Sequence, residues 1–282
     1  MASNVASGSA KRMGRQAAGH PWFHKLTRVG LAARGVIYVL IGLLAVQIGL
    51  SGGGGGKAAD KSGALQSVAD KPGGTVMLWV LALGFAGLAL WRYSEAVYGQ
   101  PLPDGDKATK RLASLARGVF YTAGCIAILM FVMGQGNTSS DSQSKSFTAK
   151  AMGEPGGRWL VLAIGLGFVG WGVANVVGSL RRKFLEKLRT GQMSARTLKI
   201  VKILGALGGA ARGLVFGGVG VFLAHAAITF DAGKAKGLDG TLREFAATPA
   251  GPWLLVAVAV GLVLFGAYCF CEARWRKVEA VR

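Results

Sequence analysis

The chain has 282 residues, of which 51% are hydrophobic and 16% are charged, and its formal net charge is +20 at pH 7. A typical soluble domain has roughly 25% charged residues, and a disordered basic chain lacks so many apolar side chains, so the composition excludes both classes. Together with 45 glycines, it indicates a membrane protein.

Six segments are long and apolar enough to cross a bilayer as helices, which takes about 20 residues. In chain order, the predicted spans are Leu31–Leu50, Val76–Val97, Leu112–Gly134, Trp159–Leu180, Ile203–Phe230 and Pro252–Cys271. None shows the period-two alternation of a membrane strand, which would also need partners to close a barrel. The sequence therefore predicts an all-α integral membrane protein with six transmembrane helices.

The six spans form three copies of a two-helix unit, each opened by an Ala-Arg-Gly triplet. A proline follows each arginine after 37 or 38 residues, and a glycine follows each proline after twelve. The residues that mark the copies are the arginines Arg34, Arg117 and Arg212, the prolines Pro72, Pro155 and Pro249, and the glycines Gly84, Gly167 and Gly261. Fixed spacing is the signature of an internal repeat. Because each unit has two spans, the units are parallel, and a ring with pseudo-threefold symmetry is expected.

Basic residues are concentrated on one side of the predicted membrane protein. The two terminal tails, the second and fourth loops and their flanking helix ends hold 24 Lys and Arg, against 9 on the other side. The acidic residues divide almost evenly, 6 against 7. Because Lys and Arg are retained in the cytoplasm, both termini are predicted to be cytoplasmic. This asymmetry accounts for the net charge without a nucleic acid partner.

The chain divides into a basic N-terminal segment (1–27), repeat one (28–99), repeat two (111–180), a basic connector (181–202) and repeat three (203–275). Before each repeated proline, a half-apolar stretch predicts a short amphipathic helix on the outer face. These stretches are Ala64–Asp70, Ser146–Glu154 and Thr241–Thr248. The connector is dense in Lys and Arg, which predicts a surface helix that binds anionic lipid headgroups.

The repeated pattern is Arg-Gly followed by aliphatic and aromatic residues, a half-apolar loop, a proline and a Gly-rich second helix. Over about residues 21–275 it resembles the bacterial membrane family known as domain of unknown function 1206. Repeat three departs mildly from the pattern, with Ala250 and Pro252 near its proline. The resemblance implies three tandem two-helix units in the cytoplasmic membrane and supplies no established activity.

The repeated arginines Arg34, Arg117 and Arg212 are candidate lipid or anion contacts. We expect each at the cytoplasmic end of a first helix, where its guanidinium can snorkel to a lipid phosphate. Aligning the second helices makes Glu95 and Glu272 candidate ion-pair partners. Repeat two has Gly178 at that position. Topological anchoring with local ion pairs is favoured here over a functional lipid or anion site.

The predicted spans contain few other polar groups, and glycines form stripes along several helices. The candidate intramembrane polar residues are Gln47, Asn175 and His225. Gln47 and His225 are equivalent, because each lies thirteen residues after its repeated arginine. A stripe of glycines at i, i+4 spacing predicts close helix packing. Its members are Gly205, Gly209, Gly213 and Gly217.

Two classes of function stay open. The favoured one is a non-catalytic membrane protein that organises lipids or partner proteins, with anionic headgroups on the cytoplasmic side as partners. The alternative is a small-solute transporter or channel along the pseudo-threefold axis, which would require Gln47 and His225 to converge on a wetted centre. No catalytic residue, metal ligand or cofactor site is predicted, so an enzyme is not expected.

Overall fold

The structure is a computed structural model that describes residues 21–50, 57–99, 107–135, 139–247 and 251–277, except the side chains of residues 21–24. Most of the predicted basic N-terminal segment, 1–27, lies outside the described residues. So do the last residue of the third predicted loop helix, Thr248, and the proline that follows it.

The described residues form nine α-helices and no strands. They are α1 Pro21–Leu50, α2 Lys61–Ala69, α3 Gly74–Tyr98, α4 Ala108–Val132, α5 Ser140–Met152, α6 Gly157–Leu180, α7 Ala195–Thr229, α8 Leu238–Ala246 and α9 Gly251–Trp275. The helices α1, α3, α4, α6, α7 and α9 are long and apolar enough to cross a membrane. The prediction of an all-α membrane protein with six spans is confirmed.

In each repeat, one short helix precedes the second span, as the sequence predicts; these helices are α2, α5 and α8. Asp60 begins α2 by accepting a hydrogen bond from the Gly63 N–H, and Ser139 caps α5 in the same way. The glycines that follow the repeated prolines at Gly73 and Gly156 have φ of 75° and 78°, which suits a residue without a side chain. The chain therefore turns sharply into α3 and α6.

The prediction of a surface helix over 181–202 is wrong. Arg182 adopts a left-handed conformation with φ of 56° just beyond the end of α6, and two 3-10 turns follow, at Lys183–Lys187 and Thr190–Gln192. Ser194 then accepts a hydrogen bond from the Thr197 N–H and begins α7. The second half of the connector therefore belongs to a span.

The six spans form an open ring. At the boundaries between repeats, α3 packs on α4, α6 packs on α7 and α9 packs on α1. Within repeats one and three, α1 packs on α3 and α7 packs on α9. The spans of repeat two, α4 and α6, do not pack along each other, and they are the most exposed of the six. The ring is therefore open between α4 and α6.

The repeated glycines explain how a repeat closes. A Cβ atom placed on Gly84 would strike Ala33 of its own repeat, and one placed on Gly261 would strike Ala211. Both alanines belong to the Ala-Arg-Gly triplets, so small residues let the two helices of a repeat touch. A Cβ on the equivalent Gly167 would meet nothing within 4 Å. Repeat two therefore has the repeated glycine, but its two spans do not touch there.

The ring is closed instead at the face that carries α2, α5 and α8, which we call the capped face. Each repeat supplies an aspartate that accepts a hydrogen bond from a backbone N–H of the next repeat. The three bonds run from Ser140 to Asp60 Oδ2 (2.7 Å), from Gly237 to Asp141 Oδ1 (3.0 Å) and from Ala59 to Asp239 Oδ1 (2.7 Å). This aspartate ring joins repeat one to two, two to three and three to one.

Replacing Asp60 with asparagine isolates one bond of the aspartate ring. Asparagine caps a helix as well as aspartate does, so α2 keeps its start while the charged acceptor for the Ser140 N–H is lost. We expect a loss of about 2 kcal/mol in unfolding free energy, the usual scale for a hydrogen bond to a charged group. Unfolding in detergent micelles, followed by tryptophan fluorescence, measures it.

The matched control is Asp70→Asn, which removes only an exposed ion pair with Lys57. Exposed ion pairs contribute about 0 to 1 kcal/mol. Equal stability of the two variants would show that the aspartate ring does not hold the repeats together.

Candidate functional site: a buried basic cluster between the spans

The repeated arginines lie inside the helices and not at their ends. Arg34, Arg117 and Arg212 follow the first residue of their helices by 13, 9 and 17 residues. They precede the other helix end by 15 to 17 residues, or roughly 24 Å at 1.5 Å per residue. Measured from the capped face, they therefore lie toward the opposite face of the protein. We call that opposite face the basic face.

Arg34 is buried and fully engaged. Its guanidinium forms an ion pair with Glu272 of α9 and donates to the Tyr121 hydroxyl of α4 over 3.0 Å. Its Nε lies 3.3 Å from the Cys269 sulfur. The expected snorkelling of Arg34 to the membrane surface is therefore wrong, because a carboxylate of repeat three satisfies the guanidinium inside the protein.

Glu95 of α3 is the centre of a second set of contacts. It accepts a hydrogen bond from Arg92 Nη1 at 2.6 Å and another from the Ser114 hydroxyl at 3.2 Å. Arg117 of α4 interacts electrostatically with the same carboxylate. The arginine of repeat two therefore lies beside the glutamate of repeat one, as Arg34 lies beside the glutamate of repeat three.

Arg212 differs from the other two repeated arginines. Its guanidinium carbon lies over four aromatic rings, at 4.9 Å from Phe265, 5.0 Å from Trp171, 5.6 Å from Phe216 and 5.9 Å from Tyr38. Its Nε is buried and has no hydrogen-bond partner, and within the described ranges no carboxylate forms an ion pair with it. Aromatic faces attract a cation but do not neutralise its charge.

Repeat symmetry explains the missing carboxylate. Glu95 and Glu272 lie eleven residues after the repeated glycine of their second helix, and repeat two has Gly178 there. Each glutamate interacts with the arginine of the following repeat, so the repeat-two residue would serve Arg212. A Cβ on Gly178 would meet nothing within 4 Å, so that position is open space.

More basic residues join the cluster toward the basic face. Arg276, just beyond α9, forms an ion pair with Glu272 and stacks on Trp91 at 4.4 Å, while Arg92 stacks on the same ring at 4.2 Å. Lys187, in the first 3-10 turn, interacts electrostatically with Arg276, Arg117 and Arg92. Its backbone carbonyl accepts from the Lys277 N–H, which fixes the connector against the end of α9.

Six basic side chains therefore lie in this basic cluster, with two carboxylates among the described residues. The members are Arg34, Arg92, Arg117, Lys187, Arg212 and Arg276, with Glu95 and Glu272. With all groups charged, the excess is four positive charges. Charges held away from water are costly unless they are paired. The arrangement can accordingly bind an anion.

The other predicted polar residues do not enter the basic cluster. Gln47 and His225 are exposed, on the helix faces that carry the exposed Leu43 and Val221. The Asn175 side chain donates to the Trp171 carbonyl of its own helix at 2.7 Å. The convergence of Gln47 and His225 that a transport path requires is therefore not found.

The glycine stripe of α7 lies where it permits close packing. Gly213 approaches the backbone of α6 at Gly172, and Gly217 lies alongside it. Gly209 approaches Ser179, and Gly205 approaches the ring of Phe184. These contacts bring α6 and α7 close enough to hold Trp171 over Arg212.

Several residues of the basic cluster were not predicted from the sequence. Arg92, Arg276 and Lys187 have no counterpart in all three repeats, so the repeat pattern does not mark them. Glu95 and Glu272 do indicate Arg92 and Arg276, because an acidic residue near a span needs a basic partner. Arg92 precedes Glu95 by three residues and Arg276 follows Glu272 by four, which are spacings of helix neighbours.

The fold and the cluster define a class: a multi-pass helical membrane protein made of three two-helix repeats around a buried basic centre. The family model described as Domain of Unknown Function (DUF1206) matches residues 29–99, 112–182 and 207–276. The chain belongs to this family. It is also 30% identical, over 254 residues, to the uncharacterized protein YxxB of Bacillus subtilis (strain 168), covering 89% of this chain and 90% of the relative. No solved structure matches the chain.

Lys187 makes the stability of the protein depend on pH. Burial, with repulsion from Arg276, Arg117 and Arg92, lowers the pKa of Lys187 to about 7 from the usual 10.5 of a lysine. Between these values the unfolded chain binds more protons than the folded one, so stability rises with pH. Relative to Lys187→Met, the wild-type chain should gain on the order of 1 kcal/mol from pH 7 to pH 9, allowing for partial exposure.

Thermal unfolding of both proteins across this range in an uncharged detergent measures the difference. The exposed Lys71→Met, on the capped face, is the control, and it should run parallel to the wild type. A constant difference between wild type and Lys187→Met would refute the lowered pKa.

Proposed function

We propose that this protein is a non-catalytic protein of the bacterial cytoplasmic membrane that binds and organises anionic phospholipids through its basic cluster. The observation that carries the proposal is that six basic side chains share this cluster with two acidic ones among the described residues. A phospholipid phosphate supplies negative charge that the described residues of the cluster lack.

The depth of the basic cluster supports a lipid as the source of that charge. The repeated arginines lie roughly 24 Å from the capped end of their helices, near the boundary between acyl chains and headgroups. Lys187 and Arg276 lie further toward the basic face, beyond the helix ends. The cluster therefore spans the depth at which lipid phosphates lie.

The proposed orientation places the basic face, and with it both termini, in the cytoplasm. It is supported by the 24 Lys and Arg on this side against 9 on the other. In this orientation the basic cluster meets the leaflet that is adjacent to the cytoplasm, and α2, α5 and α8 form the outer face. No nucleic acid is required to account for the charge.

Non-catalytic binding is favoured over transport by the position of the polar groups. The buried charged residues lie in two separate groups, the aspartate ring at the capped face and the basic cluster toward the other face, and the exposed Gln47 and His225 add nothing to a path between them. In the described ranges, no group of three or more His, Cys, Asp or Glu side chains is placed to hold a metal ion.

The test is the lipid that copurifies with the protein. After extraction of bacterial membranes with mild detergent, native mass spectrometry should show bound phosphatidylglycerol in excess over phosphatidylethanolamine. Arg117→Gln with Lys187→Gln should weaken phosphatidylglycerol binding by about tenfold or more, because each basic residue contributes about 1 kcal/mol. Glu95 keeps Arg92 in this variant, so no carboxylate is left unpaired.

The matched control is Lys71→Gln with Lys150→Gln, which removes two exposed charges from the capped face. It should retain phosphatidylglycerol as the wild type does. Equal retention of both lipids by the wild-type protein would contradict the proposal. So would an equal loss of phosphatidylglycerol in the two double variants.

A further inference from the structure

The three interfaces between repeats differ at one position. At two of them a glutamate of one repeat interacts with the arginine of the next, and Arg34–Glu272 is a direct ion pair. At the third, Arg212 faces the repeat that has glycine in place of glutamate. Among the described residues, Arg212 is therefore the one repeated arginine with no glutamate at the position where the other two interfaces have one.

The surroundings of Arg212 hold its guanidinium in place. Four aromatic rings from α1, α6, α7 and α9 surround it, with centroids 4.9 to 5.9 Å away. Its Nε is buried without a hydrogen-bond partner. A guanidinium carries its N–H groups in one plane, and arginine uses this planar arrangement to bind phosphate and carboxylate groups.

Open space lies next to this position. Added side chains at Gly178, Gly170 and Gly167 of α6 would each meet nothing within 4 Å. In repeats one and three the residues equivalent to Gly167 touch the first helix of their own repeat. In repeat two α4 does not pack along α6, so the first helix of the repeat does not cover these positions.

We propose that a single phosphate group binds at Arg212 in the place of the missing glutamate, entering between α4 and α6. The inference rests on the proposed function and deepens it, because it names one site and one stoichiometry within the basic cluster. The ligand chemistry is a phosphate oxyanion, which either a phospholipid headgroup or free inorganic phosphate supplies. One ligand per chain is expected at this site, since among the described residues one of the three interfaces lacks its carboxylate.

The decisive variant is Gly178→Glu, which restores the carboxylate that repeats one and three have. The new side chain enters open space and reaches the position equivalent to Glu95 and Glu272. It should pair with Arg212 and exclude the phosphate, so affinity falls about tenfold or more while thermal stability without ligand is kept or raised. Gly178→Gln has the same size without the charge, and it should bind more tightly than Gly178→Glu.

Two probes distinguish the sources of the phosphate. In one arm, native mass spectrometry counts phosphatidylglycerol on the protein, and Gly178→Glu should carry one fewer tightly held molecule than the wild type. In the other arm, inorganic phosphate is added to delipidated protein in an uncharged detergent, and thermal stability is measured. A response confined to the lipid arm assigns the site to a phospholipid, and a response to inorganic phosphate assigns it to the free anion.

Arg212→Gln is the second variant, in case Gly178→Glu does not fold. It should lose the same single ligand while the rest of the basic cluster retains its own. If the wild type binds phosphatidylglycerol and both variants bind as much, the site at Arg212 is overturned and the proposed function stands. If the wild type prefers no anionic lipid and does not respond to phosphate, both are overturned.

Discussion

The structure depends on how charged arginines are compensated inside a low-dielectric interior. An unpaired ion there costs several kcal/mol, and a carboxylate at contact distance offsets much of that cost. Arg34 has Glu272, and Glu95 serves Arg92 and Arg117. Because the Arg34–Glu272 pair and the interaction of Glu95 with Arg117 join neighbouring repeats, they bind separate two-helix units into one body. The same requirement leaves Arg212 with aromatic rings and no carboxylate.

Repeat two differs in both charge and packing. It lacks the glutamate, with Gly178 in its place, and its spans α4 and α6 do not pack along each other. The aspartate ring closes the three repeats at the capped face, so the opening is confined to the membrane level. In the proposed site, a ring that is closed at one end and open at its side would let a headgroup reach Arg212, the repeated arginine that has no carboxylate among the described residues.

Much of this architecture follows from the sequence. Apolar length predicts the six spans, fixed spacing predicts the three repeats, and half-apolar stretches predict α2, α5 and α8. The depth of the arginines was not predicted, because Ser194 begins α7 well before its apolar run. The aspartate ring was not predicted either, because the hydrogen bond from Ser140 to Asp60 joins residues 80 positions apart. Such long-range contacts have no local signature in a single chain.

The most direct test is a cryo-electron microscopy structure in nanodiscs that contain phosphatidylglycerol. The proposed site requires that α4 and α6 are separated and that headgroup density lies against the Arg212 guanidinium, in the space beside Gly178. A structure in which α6 packs on α4 as α9 packs on α7, with no density at Arg212, would contradict it.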